Sequence, residues 1–102
     1  MSVRAYRTET KTENGKVWSS TVSEPTFNCW NDTELSEFLR NHGDTSDQTN
    51  MDGCGVICVS FDALKDAIEN QKELGYDNDV LESLKADLAT IEEGDFIDYD
   101  CF

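Results

Sequence analysis

Apolar and polar residues alternate along this chain with two different periods, and the elements follow from them. Residues 3–12 and 16–22 are rich in Thr, Val and aromatics, and Asn14-Gly15 between them is the pair that tolerates the positive φ of a type I′ turn. A β-hairpin is predicted, with Glu13 opposite Lys16, Thr12 opposite Val17, and Tyr6, Trp18 and Val22 giving it a partly apolar face. Pro25 ends it, because proline has no N–H to offer a ladder.

Leu35, Phe38 and Leu39 then recur at helical spacing and predict a helix over about residues 32–42. Asn31 is its cap, Glu34 completes a capping box, Trp30 and Leu35 form a hydrophobic staple, and Gly43 is the stop. Residues 44–53 are polar without a period and read as an exposed loop. The run Val56-Ile57-Cys58-Val59 has no polar face, which marks residues 54–59 as a central strand. Phe61, Leu64, Ala67, Ile68 and Leu74 predict a second helix over about 61–74 behind the cap Ser60, ending at Gly75. Leu81, Leu84, Leu88 and Ile91 predict a third over about 80–93, opened by Asp79 and Glu82 and closed by Gly94. Residues 96–102 alternate, with Ile97, Tyr99 and Cys101 on one face and Asp98 and Asp100 on the other.

This order implies one α+β domain over residues 1–102. The N-terminal β-hairpin and two further strands form an antiparallel or mixed sheet with three helices packed on one face. A looser arrangement with the hairpin protruding is the alternative.

Charge changes this picture most. The chain carries 22 acidic and 8 basic side chains, a net charge of −14. Residues 1–30 hold four basic and three acidic groups, whereas residues 31–102 hold four basic and nineteen acidic ones. Such a balance argues against direct binding to nucleic acid or to an anionic membrane. The carboxylates interleave with Leu, Ile, Phe and Tyr at regular spacing, so the charge belongs to a folded surface and not to a disordered tail.

Asp62, Asp66, Glu69 and Glu73 stand four, three and four residues apart, on one outward face of the second helix. Glu82 and the pair Glu92-Glu93 flank Asp87 on the third, and Asp98 and Asp100 share the outer face of the last strand. Neighbouring like charges cost a few tenths of a kcal/mol each. Their rows are a sparse counterpart of duplex DNA, which presents one charge per about 1.7 Å of axis. Asp62, Asp66, Glu69, Glu73, Glu82, Asp98 and Asp100 are therefore the expected partner contacts, with Tyr76, Phe96 and Phe102 as aromatic anchors.

Other chemistry is sparse. The four cysteines, Cys29, Cys54, Cys58 and Cys101, follow no secretory signal and are expected as reduced thiols. Cys54 and Cys58, four apart on a strand, are separated by about 13 Å and cannot share a metal. Residues 48–59 miss the calcium-loop pattern at its first and twelfth positions, Gln48 and Val59. His42, the single histidine, is expected to cap the first helix, and no basic residue adjoins a cysteine along the sequence to activate it. Hydrolase, phosphate-loop and metalloprotease motifs are missing, so neither an enzyme nor a cofactor or metal is expected. The longest apolar runs are about five residues, too short for a membrane span, and a soluble cytoplasmic protein is expected.

The segments SVRAY, PTFNCWNDTEL, DGCGVI and YDCF resemble short uncharacterised proteins of tailed bacteriophages. By size and charge the chain also resembles the small acidic phage inhibitors that imitate DNA inside restriction enzymes, CRISPR effectors, uracil-DNA glycosylase or nucleoid proteins. That resemblance implies a binding mode and carries over no individual residue. It implies an anti-defence type of inhibitor in the host cytoplasm, binding the basic nucleic-acid groove of a host protein. The basic residues Arg4, Arg7, Lys11 and Lys16 then lie outside the interface or pair with acids of a second copy in a homodimer. The alternatives are a structural or accessory phage protein and a module that sequesters a nucleotide signal, for which only Arg4, Arg7 and Arg40 are candidate cations.

Overall fold

The computed structural model describes residues 2–102, and residues 10–13 by their backbone alone. The hairpin forms as its turn dipeptide dictates. β1 (Arg4–Glu13) and β2 (Lys16–Thr21) are joined by Asn14 at φ 52° and Gly15 at φ 77°, with Glu13 paired to Lys16 and Thr12 to Val17. The same register pairs Lys11 with Trp18 and Thr8 with Thr21. Tyr6 and Trp18 therefore project from opposite faces of the ribbon, and the expected shared apolar face does not form.

The remaining elements are β3 (Phe27–Asn28), α1 (Thr33–Asn41), β4 (Ser46–Asp47), β5 (Gly55–Ser60), α2 (Phe61–Glu69), α3 (Gln71–Leu74), α4 (Asn78–Leu88) and β6 (Phe96–Cys101). The fold is α+β. Its antiparallel sheet has the order β2-β1-β6-β5-β4, with β3 also on β1. The elements added to the predicted set are two strands of two residues and a helix of four.

β6 occupies the middle of the sheet, and its alternation holds: Ile97, Tyr99 and Cys101 are buried while Phe96 and Asp98 are exposed. β5 is an interior strand as its apolar run suggests, paired along its length with β6 and at Ile57 and Cys58 with the two-residue β4. Ile57 and Val59 of β5 enter the core, but Val56 on its other face is 39% exposed. An unbroken apolar run does not require both faces to be covered. Here the helices cover one.

Leu35 and Leu39 of α1, Ala63, Leu64 and Ala67 of α2, and Leu84 of α4 pack with Ile57, Val59, Ile97 and Tyr99 in a single core. Each buried large aliphatic side chain contributes roughly 1.5–3 kcal/mol against exposure. The helix ends show which capping signals operate. Ser60 Oγ accepts the Ala63 N–H at 3.0 Å, as its position before the apolar stripe implies. α4 is capped by Asp77, which accepts the Val80 N–H at 3.0 Å, and not by Asp79; it ends at Leu88, short of the expected boundary.

The helix expected over 61–74 breaks at Asn70, whose side-chain amide donates to the Asp66 carbonyl at 2.7 Å. Asparagine competes here with the backbone for a helical acceptor. At α1 the expected cap Asn31 is displaced. Asn28 Oδ1 accepts the N–H groups of Trp30 and Asn31, Asp32 occupies the cap position, and Trp30 stays 48% exposed. The helix ends on the extended backbone of His42, and Gly43 does not adopt the left-handed stop.

Candidate functional site

Of the nineteen acidic residues in 31–102, only Asp87 is buried. On α2 the buried Ala63, Leu64 and Ala67 set the opposite side outward, and Asp62 and Glu69 on that side are exposed. Asp66 is only half free, because the Nε2 nitrogen of His42 lies 3.2 Å from its Oδ2. The Asp44 N–H points at the other ring nitrogen at 3.4 Å, so His42 bridges α1 to α2 instead of only closing its own helix. Glu73 is exposed on α3, beyond the break at Asn70, and Glu82 is exposed on α4 with Lys85 3.9 Å away.

Asp98 and Asp100 stand elsewhere. Both project from the face of β6 opposite Ile97, Tyr99 and Cys101, and that face carries no helix. Asp100 lies between its cross-strand neighbours Tyr6 and Val56, and Asp98 stands across from Cys58. The Cys58 thiol is pushed up by burial first and then by the Asp98 carboxylate across from it. The seven carboxylates expected from the sequence thus divide into five on the helical side and two behind the sheet. The exposed Phe96 and Phe102 accompany the second group, Phe102 stacking on Tyr6 with centroids 4.8 Å apart. Tyr76, expected as an exposed anchor, is 5% exposed, and its hydroxyl donates to the Ala67 carbonyl at 2.7 Å.

Asp87 departs furthest from the acidic-row reading of α4. Its Oδ2 accepts the Thr26 hydroxyl at 2.5 Å and the Tyr99 hydroxyl at 2.7 Å. Arg7 Nε lies 3.2 Å from Oδ1, an ionic contact without hydrogen-bond alignment, while Arg7 Nη2 donates to Glu9 at 2.9 Å. Burial, followed by the Asp87 charge, pushes the Tyr99 hydroxyl well above the ordinary tyrosine range. The signal was present in the sequence: Asp87 lies three residues after Leu84 and beside Leu88, inside the apolar stripe.

Arg40 is the second cation turned inward. Its guanidinium donates to Ser36 Oγ at 3.0 Å, Thr49 Oγ1 at 2.6 Å and the Gly53 carbonyl at 3.2 Å, with Asp47 3.9 Å away. Burial opposes ionisation of Asp47, but hydrogen bonds from Thr49 and the charge of Arg40 outweigh it and hold the carboxyl below its ordinary value. Arg40 Nη2 also lies 3.5 Å from Cys29 Sγ. The expectation that no basic residue lies near a cysteine fails here, because folding brings together residues eleven apart.

Of the three arginines suited to an anionic small molecule, Arg7 and Arg40 are already engaged. A groove of about 460 Å³ sets the carboxylates of Glu9 and Asp98 around Arg7, with Ile91 and Phe96 on its wall. Among the described residues no group of three or more His, Cys, Asp or Glu side chains is placed to hold a metal, and no helix is long and apolar enough to cross a membrane. Comparison with protein-family models, with curated proteins and with solved structures gives no match.

Proposed function

We propose that this chain is a phage-type acidic inhibitor that acts in the host cytoplasm by occupying the basic nucleic-acid groove of a DNA- or RNA-processing or defence protein. The observation that carries the reading is the division of charge between inside and outside. Arg7 and Arg40 are spent on internal partners, whereas every acidic residue of 31–102 except Asp87 reaches the surface. Lys65, Lys72 and Lys85 are the only lysines left to offset them there.

Asp62, Asp66, Glu69, Glu73 and Glu82 form the principal contact, being carried on helices that share one layer. Carboxylates on regular elements lose less freedom on docking than those of a flexible tail. Their summed field speeds encounter with a basic groove and weakens as salt rises. Asp98 and Asp100 join that contact only in a partner that wraps around the edge of the sheet.

The test is capture of a host partner at low salt, followed by competition with duplex DNA or RNA. Release of the partner by nucleic acid supports the reading. A complex that still binds its nucleic acid normally overturns it.

A further inference from the structure

Cys29 lies between β3 and α1, its N–H donating to the Val3 carbonyl at 2.8 Å, and its side chain is 7% exposed. Three independent features converge on its sulfur. The first is Arg40, 3.5 Å away and held by Ser36, Thr49 and Gly53, so that its charge is fixed before any reaction. A guanidinium keeps that charge at all ordinary pH values. The second is the neighbouring thiol of Cys101 in β6, which points at the Tyr99 carbonyl of its own strand at 4.0 Å. The third is access. A cavity of about 180 Å³ opens on Cys29 and is lined also by Arg40, Ser36, Trp30, Met51 and Gly53.

We propose that Cys29 is an oxidation site, a thiolate that small hydroperoxides reach through this cavity and convert to a sulfenic acid. The thiolate attacks the terminal peroxide oxygen, the S–O bond forms as the O–O bond breaks, and the departing alkoxide takes a proton from solvent. Sulfur loses two electrons and the hydroperoxide is reduced to an alcohol. The Cys101 thiol pulls the Cys29 thiol below its ordinary value; burial resists, and Arg40 and Ser36 add to the lowering. Cys101 is itself pushed up, by Cys29 first and by burial next.

Cys101 is a polar neighbour of Cys29 and not a bridging partner. β3 and β6 flank β1 on opposite sides, with Ala5 paired to both Phe27 and Cys101. Two strand spacings exceed the roughly 7 Å between Cα atoms that a disulfide tolerates. Glu37 and Asp52, the carboxylates at the cavity wall, are the charges that oppose Arg40 there.

The test uses the reduced, native protein with alkylation by iodoacetamide followed at each cysteine by mass spectrometry. Nucleophilicity declines as a thiol becomes more acidic, so the pH profile is diagnostic and the rate at one pH is not. Cys29 is expected to reach half its plateau rate at least one pH unit below the ordinary thiol value of about 8.5. Arg40→Gln should move that midpoint up by a unit or more. Cys101→Ala, which leaves the arginine cage intact, should move it in the same direction if the first variant does not fold. Treatment with tert-butyl hydroperoxide and dimedone should label Cys29 ahead of Cys54 and Cys58. Alkylation of Cys29 only on unfolding, a midpoint unmoved in folded variants, or preferential dimedone labelling of another cysteine overturns the proposal.

Discussion

Tyr99 donates its hydroxyl to Asp87 at 2.7 Å inside the core, so the centre of the sheet is tied to α4 by a charge. Arg7 and Thr26 complete the cluster from β1 and from the segment before β3. Removing one partner of such a buried set strands the others, which costs about 3–5 kcal/mol. Asp87→Ala is expected to destabilise the protein by that amount in urea unfolding. Glu82→Ala, in the exposed row of the same helix, should change stability by no more than about 0.5 kcal/mol. Equal effects would show that Asp87 is only another surface acid.

The same tyrosine sets an alkaline limit. Its folded pKa lies above the unfolded value of about 10, so the stability linked to it is fully present below that pH and is lost as pH rises through the folded pKa. Tyr76 is shifted the same way by burial. Urea midpoints should therefore fall steadily above about pH 10. In Tyr99→Phe the decline should be shallower, from a lower starting stability. A decline as steep as in the unaltered protein would mean that another group limits alkaline stability.

Glycines at two positive φ angles separate strain from collision. At Gly75, φ 74°, a Cβ would meet no heavy atom within 4 Å, and Gly75→Ala should cost only the left-handed penalty of roughly 1–2 kcal/mol. At Gly55, φ 134°, a Cβ would lie 2.7 Å from the Gln48 carbonyl oxygen and 3.0 Å from the Thr49 Cα. Gly55→Ala must push the backbone at Gln48 and Thr49 away from β5, so its loss should exceed that of Gly75→Ala in the same denaturation series. The reverse order would place the strain elsewhere.

The two acidic groups can be tested separately once a partner is in hand. Asp62→Lys with Glu69→Lys touches only exposed side chains and leaves the His42–Asp66 contact alone. It should weaken binding by ~tenfold or more at low salt, mostly through slower association. Asp98→Lys with Asp100→Lys should change affinity less, because those residues lie behind the sheet. Association kinetics at two ionic strengths decide between them. A larger loss from the β6 pair would move the interface to the open face of the sheet.

What the sequence made legible is what depends on near neighbours. The hairpin register follows from a two-residue turn, the Ser60 cap from the stripe behind it, and the inward set of β6 from strict alternation. Two failures are local competitions. Asn28 outcompetes Asn31 for the start of α1, and Asn70 interrupts a helix by taking a backbone carbonyl. The remaining failures are long-range. Asp87 has the residue type of a surface acid at the position of a core residue, and Thr26, the partner that reveals its role, is sixty-one residues away. Likewise Arg40 reads as a basic residue at a helix end until the loop carrying Thr49 and Gly53 folds around it.

The pairing of β1 with β6 has a consequence for how the molecule comes into being. Ala5 meets Cys101 in the middle of the sheet, and Arg4 exchanges both backbone hydrogen bonds with Phe102, at 3.0 and 3.1 Å. During synthesis β1 is made well before β6, the strand it leans on. A two-stranded hairpin has little stability of its own. The apolar side chains of β1, β5 and the helices therefore wait for residues 96–102 before the sheet can close, and the entropy of joining distant segments opposes that closure. A nascent chain halted before Phe96 should stay open to proteases, however much of its helical layer has already been made.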